Sequence, residues 1–379
     1  MKKITILALH LGYGGIERCI TSLANSICMD YEVEIISVYK LYNKPSFYIH
    51  PNITIHYLIP NLNPNKAEFK QAIKKRNPFL IIKESMKSLK ILYLRKTKMI
   101  KAIKELDSDI IISTRDIHNK LLSIYGSSTS IKIGWEHNHH NQNLKYIHNL
   151  IDSLKNLDYA VFVSSELASF YQEKLQNNHC KCIYIPNSID YIASKPAPLT
   201  TQRLISVGRL SHEKGYEDLI HIMYELHKLY PSWKLDIVGD GEEYSHLVSL
   251  TTTLGLDNVV CFHGFQGREY INHLLADSSI YLMTSFTESF GIVLLEAFAY
   301  GIPCIAYDSA QGAKEVIDTN VNGFLIKNRN KDEFINKVIE LMENHEYRKK
   351  LGNNAYHKVI SFDSKEIKKQ WLPLFDSKK

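Results

Sequence analysis

At 379 residues the chain is long enough for two domains of ordinary size, and its 45% hydrophobic and 23% charged residues suit a globular protein that buries two cores. No stretch approaches the roughly 20 apolar residues that span a bilayer, which excludes a transmembrane reading. Cys19, Cys28, Cys180, Cys182, Cys261 and Cys304 are scattered and give no disulfide framework, so reduced thiols are expected.

In chain order, the N-terminus has the lysines of a signal peptide, but its short apolar run leads into glycines without a small-residue cleavage site. Residues 4–9 (ITILAL) are therefore predicted as a first strand, and the protein as cytoplasmic. A glycine loop (GYGG), a helix over 16–27 and a strand over 33–39 complete a βαβ opening, which predicts a parallel sheet with ligands at its strand C-termini. Gly14 and Gly15 fall in the first βα turn, where a missing Cβ lets backbone N–H groups approach an anion, or simply permits a tight turn. The loop does not satisfy G-x-G-x-x-G, and no acid ends the next strand, which argues against a nicotinamide enzyme.

The net charge of +6 is unevenly spread. Residues 66–104 hold thirteen Lys/Arg, from Lys66 to Lys104, against Glu68 and Glu84; this local balance of +11 leaves −5 for the rest of the chain. Within this region residues 83–106 mix Met86, Leu89, Leu92, Met99, Ile100 and Ile103 with lysines at helical spacing. Such a helix either lies on an anionic membrane surface, gaining about 1 kcal/mol per well-placed basic residue, or presents a solvated lysine face. No aromatic stacking platform accompanies the run, so nucleic acid is not an expected partner.

Further strands are predicted at 53–58, 109–114, 131–137 and 159–165, giving a first domain over 1–186. The histidine-rich WEHNHHN places His137, His139 and His140 without a helical i, i+4 pair or a nearby acidic or cysteine set, and no metal site is predicted there. Residues 187–200, punctuated by Pro196 and Pro198, read as an interdomain linker. Strands at 203–209, 233–239, 259–264, 278–283, 302–307 and 323–326 then alternate with helical patterns, a second doubly wound domain over 201–360. Residues 361–379 read as a C-terminal helix around Trp371.

Chemistry concentrates in the stretch 285–307. Residues 290–300 form a helix pattern stopped by Gly301 and Pro303, and Glu296 is its only charge. A buried carboxylate costs several kcal/mol, roughly, unless something donates to it, and a ribose diol could donate twice. Glu288 falls at the helix entrance, where free N–H groups favour phosphates. Alternatively Glu296 faces solvent and Glu288 is an ordinary helix-start acid. Arg209 and Lys214 follow the strand LISVG and can both point toward a pyrophosphate, although either could be a plain surface charge.

The stretch ESFGIVLLEAFAYGIPCIA closely resembles the E-x7-E signature of the retaining glycosyltransferases of family four. VGRLSHEKGYEDLI (207–220) is similar to that family's donor-phosphate motif, LDIVGDGEE (235–243) to its next strand and glycine turn, IPNSID (185–190) to its interdomain entry and LGYGGIER (11–18) to its first glycine loop. The resemblance spans nearly the whole chain, with most of its specificity between Val207 and Pro303. It implies the α/β GT-B architecture, two Rossmann-like doubly wound domains facing across a cleft, with the acceptor at the first domain, the nucleotide sugar at the second and the last helix crossing back. It also implies site roles. Arg209 and Lys214 would hold the pyrophosphate, Glu288 the sugar hydroxyls and Glu296 the ribose, assisted by Ser289, Phe290, Gly291 and Ile292. Gly15 would face the donor, Gly241, His263 and Phe265 would line the base pocket, and His137 would contact the donor sugar; Glu288, His137, Lys214 and Arg209 are the expected catalytic set.

The activity so implied is transfer of a hexose or N-acetylhexosamine, with retention, from a UDP-sugar to a hydroxyl of a glycan or lipid-linked oligosaccharide in surface polysaccharide synthesis. No metal or other cofactor is implied, since the nucleotide sugar is a substrate. The WEHN segment places the chain nearest bacterial surface-glycan members, and a peripheral position on the inner face of the plasma membrane goes with the basic segment. A nucleotide-sugar epimerase or a phosphorylase of the same architecture, or a non-catalytic nucleotide-sugar-binding protein, remain the alternatives.

Overall fold

In the computed structural model, which describes residues 1–176 and 178–377, the chain divides into two compact units. Met1–Ile185 together with the chain from Lys368 forms the first, and Pro186–Ile367 the second.

The first unit holds β1 (Lys3–Ala8), β2 (Glu32–Tyr39), β3 (Thr54–Ile59), β4 (Ile110–Ser113), β5 (Ile131–Glu136), β6 (Tyr159–Phe162) and β7 (Lys181–Tyr184). All pairs are parallel, in the order β3-β2-β1-β4-β5-β6-β7. Helices cover such a sheet on both faces, so its central strands carry near-continuous apolar runs; Ile110, Ile111 and Ile112 are all fully buried. The strand β7 is not among the sequence expectations. Its KCIY is short and pairs only with β6 at the edge, so neither length nor alternation marks it. The C-terminal helix is Ser364–Asp376, and Trp371 within it packs edge-on to Trp135, with ring centroids 4.9 Å apart.

The second unit holds β8 (Arg203–Val207), β9 (Lys234–Val238), β10 (Val260–Phe262), β11 (Ile280–Met283), β12 (Cys304–Tyr307) and β13 (Gly323–Ile326). They are again all parallel, ordered β10-β9-β8-β11-β12-β13. Both units are thus Rossmann-like, and in each the strand order reverses beside the first strand: between β1 and β4, and between β8 and β11. Loops leaving two such strands diverge to opposite faces and open a crevice at the C-terminal edge, the usual ligand position in doubly wound sheets.

Residues 187–200 carry no helix or strand, yet they are bonded into the second unit. Ala193 and Ala197 donate their N–H groups to the carbonyls of Ala299 (3.1 Å) and Tyr300 (2.7 Å), and buried Arg348 donates to the Leu199 carbonyl at 2.7 Å. Arg348 belongs to the helix His345–Val359, whose buried face is Arg348, Leu351, Gly352, Ala355 and Val359. An arginine and a glycine on that face hide its apolar periodicity from the sequence.

Candidate functional site

Lys214 closes a short 3-10 turn, His212–Lys214, in the loop that leaves β8, and Glu288 lies in the loop that leaves β11. Those are the two strands flanking the reversal of strand order in the second unit. Their side chains form an ion pair, both mostly shielded from solvent. The loops can approach because Gly215 has φ 65° and a Cβ there would stand 2.2 Å from the Thr284 carbonyl oxygen. Thr284 Oγ1 donates to the Gly215 carbonyl at 2.8 Å and the Phe286 N–H donates to the Glu213 carbonyl at 2.9 Å, locking the two loops together.

Arg329, absent from the sequence expectations, braces the second loop. Its guanidinium donates to the carbonyls of Thr284 (2.9 Å) and Ser285 (3.0 Å), pairs with Asp218, and lies 3.9 Å from the ring centroid of Phe286 and 4.3 Å from that of Tyr307. Arg209 lies differently from Lys214: it is 65% exposed and pairs with Glu213 at 2.7 Å.

The E-x7-E helix is shorter than the sequence pattern, running Ile292–Phe298. Gly291 precedes it with φ 83° and ψ 56°, a left-handed geometry that cannot continue into an α-helix, so Ser289, Phe290 and Gly291 stand outside as an entry loop. Gly312 supports that loop at close quarters, since a Cβ on it would fall 2.2 Å from the Phe290 backbone, and its N–H donates to the Glu288 carbonyl at 2.8 Å. Glu296 is buried, as its apolar helix suggests. Its partner is Arg268, the first residue of the helix Arg268–Ala276, whose guanidinium binds the carboxylate directly.

Around β9 and β10, Asp236 is almost wholly buried and takes two hydrogen bonds from Arg203, at 2.9 and 2.8 Å. His263 adds Nε2 at 2.7 Å from Asp236 Oδ1, while its Nδ1 lies 2.8 Å from the Tyr270 hydroxyl. Among the described residues Asp236, Cys261 and His263 do bring metal-ligating atoms within 4.8 Å of one another. With the Asp236 oxygens committed to a guanidinium, however, the group is built as a charge network. Phe265 is exposed beside it, and Gly241 is required sterically, because a Cβ there would lie 2.2 Å from the Leu210 carbonyl oxygen.

In the first unit a second cluster occupies the corresponding reversal of strand order. Glu17, buried in the first turn of the helix Gly15–Ile27, accepts from Arg115 Nη2 at 2.9 Å and lies 3.5 Å from His10 Nδ1. His10 follows β1 and Arg115 follows β4. A Cβ on Gly14 would meet Glu17 Oε2 at 2.1 Å, so a side chain there would displace the carboxylate, whereas one on Gly15 would meet nothing within 4 Å. Neither Glu17 nor Arg115 is among the sequence expectations. The GGIER motif puts the acid in a first helical turn, but its cation lies 98 residues away.

His137 follows β5 and is buried against Trp135, with ring centroids 4.4 Å apart. Its Nε2 has no hydrogen-bond partner among the described residues, and burial lowers its pKa to about 3, so the ring is neutral at ordinary pH. Glu136, beside it, is fully enclosed; burial raises its pKa even though the Asn138 N–H donates to it at 2.7 Å.

The chain has full-length relatives. It is 28% identical over 377 residues to an uncharacterized glycosyltransferase of Haemophilus influenzae, covering 98% of this chain and 99% of the relative. It is 26% identical, over 99% and 98% of the two chains, to a Campylobacter jejuni alpha-1,4-N-acetyl-D-galactosaminyltransferase named for a diphospho-undecaprenol-linked acceptor. Among solved structures, a variant of S. aureus TarM in complex with Fondaparinux, alpha-GlcNAc-glycerol and UDP superposes with a TM-score of 0.79 at 14% identity, over 100% of both chains. The family described as glycosyl transferases group 1 matches residues 187–358, the greater part of the unit that carries the paired carboxylates, and the two doubly wound parallel sheets give the chain the GT-B fold.

Proposed function

We propose that the protein transfers a hexose or N-acetylhexosamine, with retention, from a UDP-sugar to a hydroxyl of a glycan or lipid-linked oligosaccharide in bacterial surface-polysaccharide synthesis. The observation that carries the reading is the Lys214–Glu288 pair at the strand-order reversal of the second unit, with Glu296 buried on the next helix. The UDP in the TarM structure and the undecaprenol-linked acceptor in the Campylobacter enzyme's name support the donor and acceptor classes.

In this reading Lys214 and Arg209 take the diphosphate, the Ser289–Gly291 loop offers N–H groups to it, Glu288 takes sugar hydroxyls and Glu296 the ribose. Gly241, His263 and Phe265 line the base pocket. Binding exchanges partners within the site, because Lys214 and Arg268 already neutralise the two glutamates. His137 is neutral, so it offers a hydrogen bond rather than a charge. The C1–O bond to the diphosphate breaks, the acceptor oxygen bonds to C1 on the same face, and the acceptor proton passes to the departing phosphate oxygen. Charge growing on that leaving group is what Lys214 stabilises. The reaction requires no step through a metal.

The test is an assay of UDP release from a panel of UDP-sugars with and without lipid-linked acceptors, with NMR of the product anomer. Acceptor-dependent UDP release with an unchanged anomeric configuration is expected. Isomerised donor in the absence of acceptor would instead identify an epimerase, and an inverted product would refute retention.

A further inference from the structure

The helix Pro78–Glu105 is the longest in the chain, and its two sides have different environments. It packs against the helices Lys66–Lys74 and Asp116–Tyr125 and against β3, with Ile91, Met99 and Ile103 buried. Asn65 fastens the same side, donating to the Glu84 carboxylate at 2.7 Å and accepting from Ser88 at 2.9 Å. Phe79, Ile82, Met86, Leu89 and Tyr93 recur at alternating spacings of three and four residues, which places them on one stripe roughly opposite Ile91 and about 21 Å long. All five are exposed, Phe79 by 84% and Leu89 by 68%.

Five large apolar side chains on one outward helix face are not accounted for by packing within the unit, and an exposed patch of this kind marks a contact surface. Its chemistry is specified by its borders. Helical geometry places Lys83, Lys87 and Lys90 along one edge of the stripe and Lys96 along the other. The neighbouring helix Lys66–Lys74 adds basic residues to a region of local balance +11. An apolar stripe bordered by lysines matches a bilayer interface, where the apolar side chains enter the acyl boundary and the ammonium groups meet anionic headgroups. Among the described residues no helix is long and apolar enough to cross a membrane, so the contact is one of lying on the surface.

We propose that the outward face of Pro78–Glu105 is a docking surface for an anionic lipid bilayer, with Phe79, Ile82, Met86, Leu89 and Tyr93 inserted and the bordering lysines on the headgroups. The exposed stripe and its lysine border carry this, independently of the transfer reaction.

The experiment is flotation of the full chain with vesicles of phosphatidylcholine alone and of phosphatidylcholine with phosphatidylglycerol. The wild type is expected to float only with the anionic vesicles and to be released by high salt. The charge-conserving variant F79S/M86S/L89S and the charge-reversed variant K83E/K87E/K90E should each bind at least about tenfold less, with unchanged circular dichroism. A tryptophan introduced as F79W should shift its emission to the blue on adding anionic vesicles and be quenched by brominated lipid. No flotation of the wild type with anionic vesicles overturns the proposal. So does serine-variant binding equal to the wild type, or a wild-type dimer in solution that the serine variant abolishes while the wild type ignores vesicles, since a second copy would then cover the stripe.

Discussion

Arg268 and Glu296, 28 residues apart, form an ion pair between the first turn of one helix and the middle of a short apolar one. This pair resolves how a carboxylate persists on a helix that is otherwise buried, and it means that a ligand reaching Glu296 meets a charge already compensated.

Replacing Arg268 by Leu strips that compensation and should lower stability by about 1–3 kcal/mol, less than a fully buried pair would lose because the guanidinium is partly exposed. Adding Glu296→Gln to this variant should recover part of the loss, because no unpaired charge then remains. Denaturant unfolding of the two single variants and the double variant checks this; strictly additive losses would show that the residues are not coupled.

Two arginines of the second unit should behave oppositely. Arg203→Leu leaves Asp236 buried without its bidentate partner and should cost about 2–4 kcal/mol. Arg209→Leu removes an exposed i, i+4 pair with Glu213 and should change stability by no more than about 0.5 kcal/mol. Melting temperatures in the absence of ligand distinguish them, and similar shifts for both would contradict the assignment.

This contrast also marks what the sequence discloses. Alternation of apolar strands and helices points to two doubly wound sheets, and the isolated charge of Glu296 leaves a buried and a solvent-facing carboxylate both open until its burial is seen. The glycines at 215 and 312 and the cations at 268, 329 and 115 acquire their meaning only from partners brought together by folding. Arg115 meets Glu17 across 98 residues and Arg329 meets Thr284 across 45, and no local period encodes such a meeting. The helix end at Ile292 is similar: FGIV reads as continuous helix until Gly291 is seen to be left-handed.

Arg329 acts on the site through the loop it holds. Arg329→Met should keep stacking area on Phe286 and Tyr307 but lose the donors to the Thr284 and Ser285 carbonyls, freeing the loop that carries Glu288. A fall in kcat of about tenfold or more is expected, with a smaller change in donor KM and partial rescue in Arg329→Lys. Wild-type kcat in Arg329→Met would remove the bracing role.

Acid should weaken the first unit through its buried histidines. Burial holds His118 and His137 at pKa values of about 3, against 6.5 in an unfolded chain. Above pH 6.5 both are neutral in either state and stability is unaffected. Below it the unfolded chain binds protons that the folded one refuses, so each histidine costs about 1.4 kcal/mol per pH unit until roughly pH 3. Urea unfolding between pH 7.5 and 5 should therefore show a shallower loss for His118→Phe than for the wild type; parallel curves would mean that His118 is protonated in the fold.

The central assignment, a nucleotide diphosphate gripped by Lys214 and Glu296, is tested most directly by titrating UDP into the wild type, Lys214→Ala and Glu296→Gln by calorimetry. The wild type is expected to bind and each variant to bind at least about tenfold more weakly while retaining its fold. Equal affinity in all three proteins, or no UDP binding by the wild type, would contradict it.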